Sequence, residues 1–201
     1  MGSQSRRLPP PNSTVNFTTS SSVLVCDTSV LLYLGRIQKA ELLPSLFDRI
    51  CVPDAVLLEL AAGKMTRADT IEPKALGWIV SCSVRSSDIH ALPPNRLGPG
   101  ERAAIACALA HPGCQVGLDD RQARLLAGQL GLKVIGTLGM LIKAKTAGLV
   151  PSVGTLLDQL QRMGFHLVPR CSLKRCDWLG RSNSRHAQHG RTGGISGQFH
   201  H

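Results

Sequence analysis

Twice in this chain a short apolar run ends on a carboxylate and passes at once into a helical pattern. Val23–Cys26 runs into Asp27, and Thr28 and Ser29 then open a second apolar stretch that reaches Tyr33. Cys114–Leu118 runs into Asp119 and Asp120, and Arg121–Leu130 follows with helical spacing up to Gly131. A buried strand that stops on an acid and turns into a helix is half of a βαβ unit. Its repetition commits the chain to a parallel sheet with helices on both faces. In an open parallel sheet, ligands sit just beyond the carboxyl ends of the strands. An acid placed there serves either a site or a helix cap. Thr28 or Ser29 is a ready N-cap for the first helix, and on this stretch alone both roles stand open for Asp27.

The rest of the middle of the chain keeps the alternation. Helical patterns are predicted from Ser29 to Leu34 and from Ala40 to Phe47, the second bounded or interrupted by Pro44. Ile50–Val52 is a short strand. Pro53 opens a helix over Asp54–Ala62 that Gly63 closes. Lys64–Leu76 reads as a loop with a short helix, Trp78–Val84 as an alternating strand, and Asp88–Gly98 as a connector rich in turn residues. Pro99–His111 is a helix with proline at its start. Lys133–Ile135 is a strand, Thr137–Ala147 a helix closed by Gly148, Pro151–Met163 a last helix and Phe165–Val168 a last short strand or edge. No internal repeat is present.

Charge divides the chain into three parts. Residues 1–22 carry Arg6 and Arg7 and no acid, a charge of +2. Residues 170–201 carry Arg170, Lys174, Arg175, Arg181, Arg185 and Arg191 against Asp177, a charge of +5. The 23–169 segment accounts for the remaining +3 of the total +10. Both ends are rich in small and polar residues and lack apolar periodicity, so 1–22 and 170–201 are predicted to be disordered tails around one α/β domain. Cationic tails attract polyanions without sequence choice, or merely keep a protein soluble. No apolar run approaches the ~18 residues of a membrane span, and the arginines and prolines near the N-terminus leave no room for a secretory h-region. Seven cysteines, four of them inside apolar segments, form no disulfide framework. An odd count of this kind fits a reducing cytoplasm.

Most acids of the domain lie where solvated charges normally lie, and a few do not. Asp27 ends the first strand. Glu59 is flanked by Leu58 and Leu60 in a helix that is apolar almost all round. Glu101 follows Gly98-Pro99-Gly100 in the first turn of a helix, and Asp119 and Asp120 end a later strand. Each has an ordinary explanation. Glu59 could face water, Glu101 could complement a helix N-terminus, and either Asp of the doublet could be an N-cap. Together they are more specific. The strand-ending acids share one edge of the sheet, and the helices of Glu59 and Glu101 can bring their carboxylates to it. Carboxylates gathered there repel one another unless a cation joins them. Oxygen ligands with no histidine or cysteine beside them suit Mg²⁺ or Mn²⁺. One or two such ions turn a bound water into a nucleophile and offset charge at a phosphodiester.

Other acid-based α/β sites fit less well. A phosphoryl-accepting receiver domain needs its acidic pair first and a single Asp later, and here the order is reversed. A haloacid-dehalogenase-like site needs Asp-x-Asp after the first strand, where Thr28 and Ser29 stand. Gly98-Pro99-Gly100 matches neither a dinucleotide nor a P-loop fingerprint.

The ordered blocks VLVCDTSVLLYL, VLLELAAG, LGPGERAAIACALA and VGLDDRQARLLAGQLGLKVIGTLGMLIKAKTAGLV resemble those of PIN-domain proteins. They are most similar to the branch of bacterial and archaeal VapC-like toxins, with GERxAI and DDxxAR followed by GTLG. The resemblance spans about 23–169. It implies a three-layer α/β/α sandwich with a central, mainly parallel sheet, and metal-dependent hydrolysis of RNA phosphodiester bonds. The family's acidic quartet falls on Asp27, Glu59, Glu101 and Asp120, with Asp119 competing for the last place. These five are the expected ligands of Mg²⁺ or Mn²⁺. Thr28 matches a hydroxyl position that supports the first Asp or a metal-bound water. Arg121 either touches substrate phosphate or pairs with a neighbouring acid.

The implied partners are an RNA substrate, a small antitoxin whose segment fills the active-site groove, and a second copy of the chain in a homodimer. The Ala-rich helices Glu101–Ala110 and Ala123–Leu130 serve equally well as core or as interface. A non-catalytic RNA-binding or scaffold protein with the same fold is the alternative. In the C-terminal tail, Cys171, Cys176, His186 and His189 are zinc-ligand types at a loose, non-standard spacing.

Overall fold

The computed structural model describes residues 22–66 and 72–166. Five strands form one sheet: β1 (Val23–Cys26), β2 (Arg49–Pro53), β3 (Ile79–Cys82), β4 (Gln115–Gly117) and β5 (Lys133–Ile135). All four pairings are parallel and the spatial order is β3-β2-β1-β4-β5. The chain builds outward from β1 through β2 and β3, then returns to the other side of β1 to place β4. The order therefore reverses between β1 and β4. At such a switch point the connections leave in opposite directions and open a crevice beyond the strand ends.

Alternation along the strands sends side chains to two separate cores. Leu24 and Cys26 of β1 join Ile50 and Val52 of β2 on one face. There they pack under α1 (Thr28–Arg36), α2 (Leu42–Leu46), α3 (Asp54–Thr66), α7 (Thr137–Thr146) and α8 (Val153–Arg162). Val23, Val25, Cys51 and Val116 point the other way, towards α5 (Pro99–Leu109) and α6 (Arg121–Gln129), with Ile89 of α4 (Ser86–His90) at the margin. The result is a three-layer α/β/α sandwich, with the sheet parallel throughout. Each fully buried leucine contributes about 1.5–3 kcal/mol by leaving water. Ala103 to Ala108 of α5 are all buried, so the first Ala-rich helix is core. In α6 only Ala123, Leu126 and Ala127 are buried, while Leu125 stands exposed.

Several local expectations need correction. Gly63 does not close α3, which runs on to Thr66. A single helical glycine costs only ~1 kcal/mol relative to alanine. The connector after β3 contains α4, a short helix that begins at Ser86 before the prolines are reached. The first helix is capped by Asp27 itself rather than by Thr28 or Ser29. Phe165 belongs to no strand; its ring meets Tyr33 edge-on at 4.9 Å between centroids and anchors the end of α8 to α1. Leu167 and Val168, residues 1–21 of the N-terminal tail, and the whole C-terminal tail with its Cys171, Cys176, His186, His189 set lie outside the described residues. Gly131 and Gly148 do end their helices, with φ of +78° and +73°, the left-handed backbone that glycine adopts without penalty. Among the described residues no helix is long and apolar enough to cross a membrane.

Candidate active site

Asp27 lies one residue past β1, and its N–H donates to the carbonyl of Gly117 at the end of β4. It stands at the switch point itself. Among the described residues, Asp27 and Thr137 are the buried polar side chains, with Asp27 2% exposed. One oxygen of Asp27, Oδ2, accepts from the hydroxyl of Ser29 at 2.9 Å and from its backbone N–H at 3.4 Å. The other, Oδ1, is buried and accepts no hydrogen bond. A carboxylate in this state is costly. Burial holds its carboxyl up at about 6; the Ser29 and backbone hydrogen bonds pull it down, and the charge of Glu101 pushes it up further.

Glu101 enters from the first turn of α5. Pro99 occupies a position where its missing N–H is no loss, and Glu101 Oε2 reaches back to accept from the N–H of Gly98 at 2.8 Å, one half of a capping box. Its carboxyl is raised by burial and by the charges of Asp120 and Glu59, against the lowering hydrogen bond from Gly98. Glu101 therefore interacts electrostatically with all three other members of the quartet.

Glu59 does not face water. It joins three helices: Oε2 accepts from the hydroxyl of Thr28 on α1, and Oε1 accepts from the N–H of Gly100 on α5 at 2.7 Å. Gly100 is required for this approach, because a Cβ there would sit 2.4 Å from Glu59 Oε2. The Thr28 hydroxyl thus steadies Glu59, while its backbone N–H acts on the Asp27 carboxyl.

The acidic doublet after β4 splits. Asp120 is exposed and caps α6, with Oδ1 accepting from the N–H of Ala123 at 2.9 Å. Asp119 turns to the neighbouring strand end, where its oxygens accept from the N–H of Thr137 at 2.8 Å and from the Thr137 hydroxyl. Burial raises the Asp119 carboxyl, while these bonds and the nearby Arg124 guanidinium lower it. Arg124 also donates to the carbonyl of Leu118 at 2.9 Å. A Cβ on Gly136 would fall 2.8 Å from Asp119 Oδ1 and 2.6 Å from the guanidinium, so the Asp119 clamp also needs glycine. Arg121, exposed at the start of α6, lines a groove with Arg124, Leu125, Gly128, Leu132 and Val134.

Gly100, Arg124, Gly136 and Thr137 are contributors whose roles the sequence leaves unassigned, and Ser29 enters it only as a cap candidate. The glycine just before Glu101 and the Gly136-Thr137 pair just after β5 are the signals that point to them, as close-approach and cap positions.

The donor chemistry suits a hard divalent cation. The orphaned Asp27 Oδ1, Glu101 and Asp120 offer oxygen only, at the sheet's switch point; the charge of Glu101 raises the Asp27 carboxyl, and those of Asp120 and Glu59 raise that of Glu101. As they stand, no three acidic, imidazole or thiol groups among the described residues converge closely enough to hold an ion. Glu101 and Asp120 are each engaged by a helix-terminal N–H, and Glu59 by two donors.

The model of the PIN-domain family DUF3368 matches residues 23–176. Among solved structures, that of the PIN domain endonuclease Utp24 is similar, with 12% sequence identity and a TM-score of 0.42 over 57% of this chain and 84% of that one. Comparison with curated protein sequences gives no match. The five-stranded parallel sheet, the acids beyond β1 and β4 and a family match over most of the sequence lead to one conclusion: this chain belongs to the PIN-domain family.

Proposed function

We propose that this protein is an endoribonuclease that uses Mg²⁺ or Mn²⁺ to hydrolyse RNA phosphodiester bonds. The observation that carries this reading is the buried, unpartnered Oδ1 of Asp27 at the switch point, beside Glu101. Asp27, Glu101 and Asp120 would hold the cation, and Glu59, fixed by Thr28 and Gly100, would set the position of α5 and so of Glu101. The ion would supply an activated water and offset negative charge on the phosphodiester. Asp119 is bonded to Thr137 and serves to join the end of β4 to the start of α7. Arg121 and Arg124 border the groove beside the doublet and offer positive charge to an RNA backbone.

The GERxAI and DDxxAR blocks favour the VapC-like branch, in which the protein would act in the cytoplasm, be held by a small antitoxin and form a homodimer. The exposed Leu125 beside Arg121 and Arg124 gives α6 a mixed apolar and basic surface suited to such contacts.

A second reading, a non-catalytic RNA-binding or scaffold protein, draws support from the commitment of Glu59, Glu101 and Asp120 to N–H and O–H donors. The two readings part on one experiment. Purified full chain with Mn²⁺ should cut single-stranded RNA internally, and Asp27→Asn should abolish cutting while the protein stays folded. An Asp27→Asn protein that cut at the wild-type rate would overturn the assignment. Wild-type protein that bound RNA without cutting it would favour the scaffold.

A further inference from the structure

A second cluster of reactive groups lies between β2, β3 and α5, where the acidic site takes no part. Cys82 ends β3 and is half-buried; Cys107 lies in the buried middle of α5. Their sulfurs are 2.9 Å apart, against about 2.05 Å for a disulfide bond. Closing the bond needs the two atoms to approach by less than about 1 Å. Burial pushes the nearby Cys51 thiol up to about 12 and Cys114 up to about 11, and the contact with Cys82 together with burial pushes Cys107 up further still. Proximity, not acidity, therefore singles out the Cys82–Cys107 pair, and the Cys114 thiol is already engaged with the carbonyl of Ala108.

We propose that Cys82 and Cys107 are an oxidisable dithiol that closes to an intramolecular disulfide and staples α5 to β3, with glutathione disulfide as oxidant. Cys82 is the accessible partner and reacts first. Its thiolate attacks one sulfur of glutathione disulfide, a mixed disulfide forms and one glutathione thiolate leaves. Cys107 sulfur then attacks Cys82 Sγ, the second glutathione thiolate leaves, and it takes up the proton that Cys107 gives up. In sum, two protein thiols are oxidised to one disulfide and one glutathione disulfide is reduced to two thiols. Burial of Cys107 makes the second step slow, on the scale of seconds to hours known for such exchange. The staple closes the chain between residues 82 and 107, which contains α4 and the first turn of α5 with Glu101. It should stabilise the fold by restricting the unfolded chain. The proposal does not depend on the nuclease reading.

The test is peptide mapping of the native full chain after incubation with oxidised glutathione. The expected result is a crosslinked peptide pair whose fragment ions place the bond between Cys82 and Cys107. Its formation should raise the melting temperature by about 5 °C or more, reversibly with dithiothreitol. Cys82→Ser should abolish both effects, and Cys107→Ser should leave a lasting glutathione adduct on Cys82. A lasting adduct on Cys82 in the wild-type chain, with Cys107 still open to alkylation after denaturation, would overturn the proposal. So would a bond from Cys82 to Cys51 or Cys114.

Discussion

Asp27 and Asp119 occupy comparable places and meet opposite fates. Each follows a central parallel strand, each is largely shielded from water, and each has its carboxyl raised by burial. Asp119 is answered in full: the N–H and hydroxyl of Thr137 take its oxygens, and the Arg124 guanidinium lies near. Asp27 is answered by half, because Ser29 serves Oδ2 and nothing serves Oδ1. A folded domain satisfies its buried polar atoms wherever it can. A satisfied acid is a structural joint. An unsatisfied one, beside like charges at a sheet's switch point, is a cost in stability that the fold leaves unanswered.

The comparison breaks most sharply on activity. Asp27→Asn should reduce RNA cleavage by at least about 100-fold, whereas Asp119→Asn, which can still accept from Thr137, should reduce it by less than about tenfold. Equal losses in a cleavage assay would erase the distinction.

Stability should respond in the opposite sense. Asp27 binds its proton more tightly in the folded chain, at about 6, than in the unfolded chain, at about 3.8. Between these values the folded state carries more protons, so cation-free stability falls as pH rises through the window. Ionising the buried acid costs roughly 3 kcal/mol by pH 7. Urea denaturation without divalent ions should therefore find Asp27→Asn more stable than wild type at pH 7, with the gap closing towards pH 4. Glu101 and Asp119, also raised, act in the same direction. A gap that widened on acidification would contradict the electrostatic account.

Asp119→Ala leaves the buried hydroxyl and N–H of Thr137 without their acceptor. It should cost about 1–3 kcal/mol, read as a lower urea midpoint. A midpoint shift near zero would remove Asp119 from the structural side. The smallest effect is expected from Gly100→Ala. The new Cβ displaces the flexible end of Glu59 rather than backbone, so stability should fall by only about 1 kcal/mol. Cleavage should fall modestly as well, because Glu59 then lets go of Gly100 next to Glu101.

Where these acids lie on the fold was largely legible in the sequence. A strand ending on Asp27, a strand ending on the doublet and a Gly-Pro-Gly-Glu helix start are local patterns, and local patterns give element type and sheet edge. The different partners of Asp119 and Asp120 were not legible. Asp119 is taken by Thr137, 18 residues further on, while Asp120 caps its own helix. Nor was the role of Thr28, whose partner Glu59 lies 31 residues away. The dual nature of Asp27 explains why the cap and site readings both fitted, since one oxygen caps α1 and the other is left over. Gly63 and α4 were misread for a different reason: single glycines and nearby prolines are weak signals that flanking helix-compatible residues override.

The central claim is that the unanswered oxygen of Asp27 awaits a divalent cation. Calorimetric titration of Mn²⁺ into wild-type and Asp27→Asn protein tests it most directly. The account predicts saturable binding with proton release near pH 6 for wild type, as the ion displaces the proton of the raised carboxyl into the buffer, and loss of that binding in Asp27→Asn. Equal binding by the two proteins, or none by wild type, would contradict it.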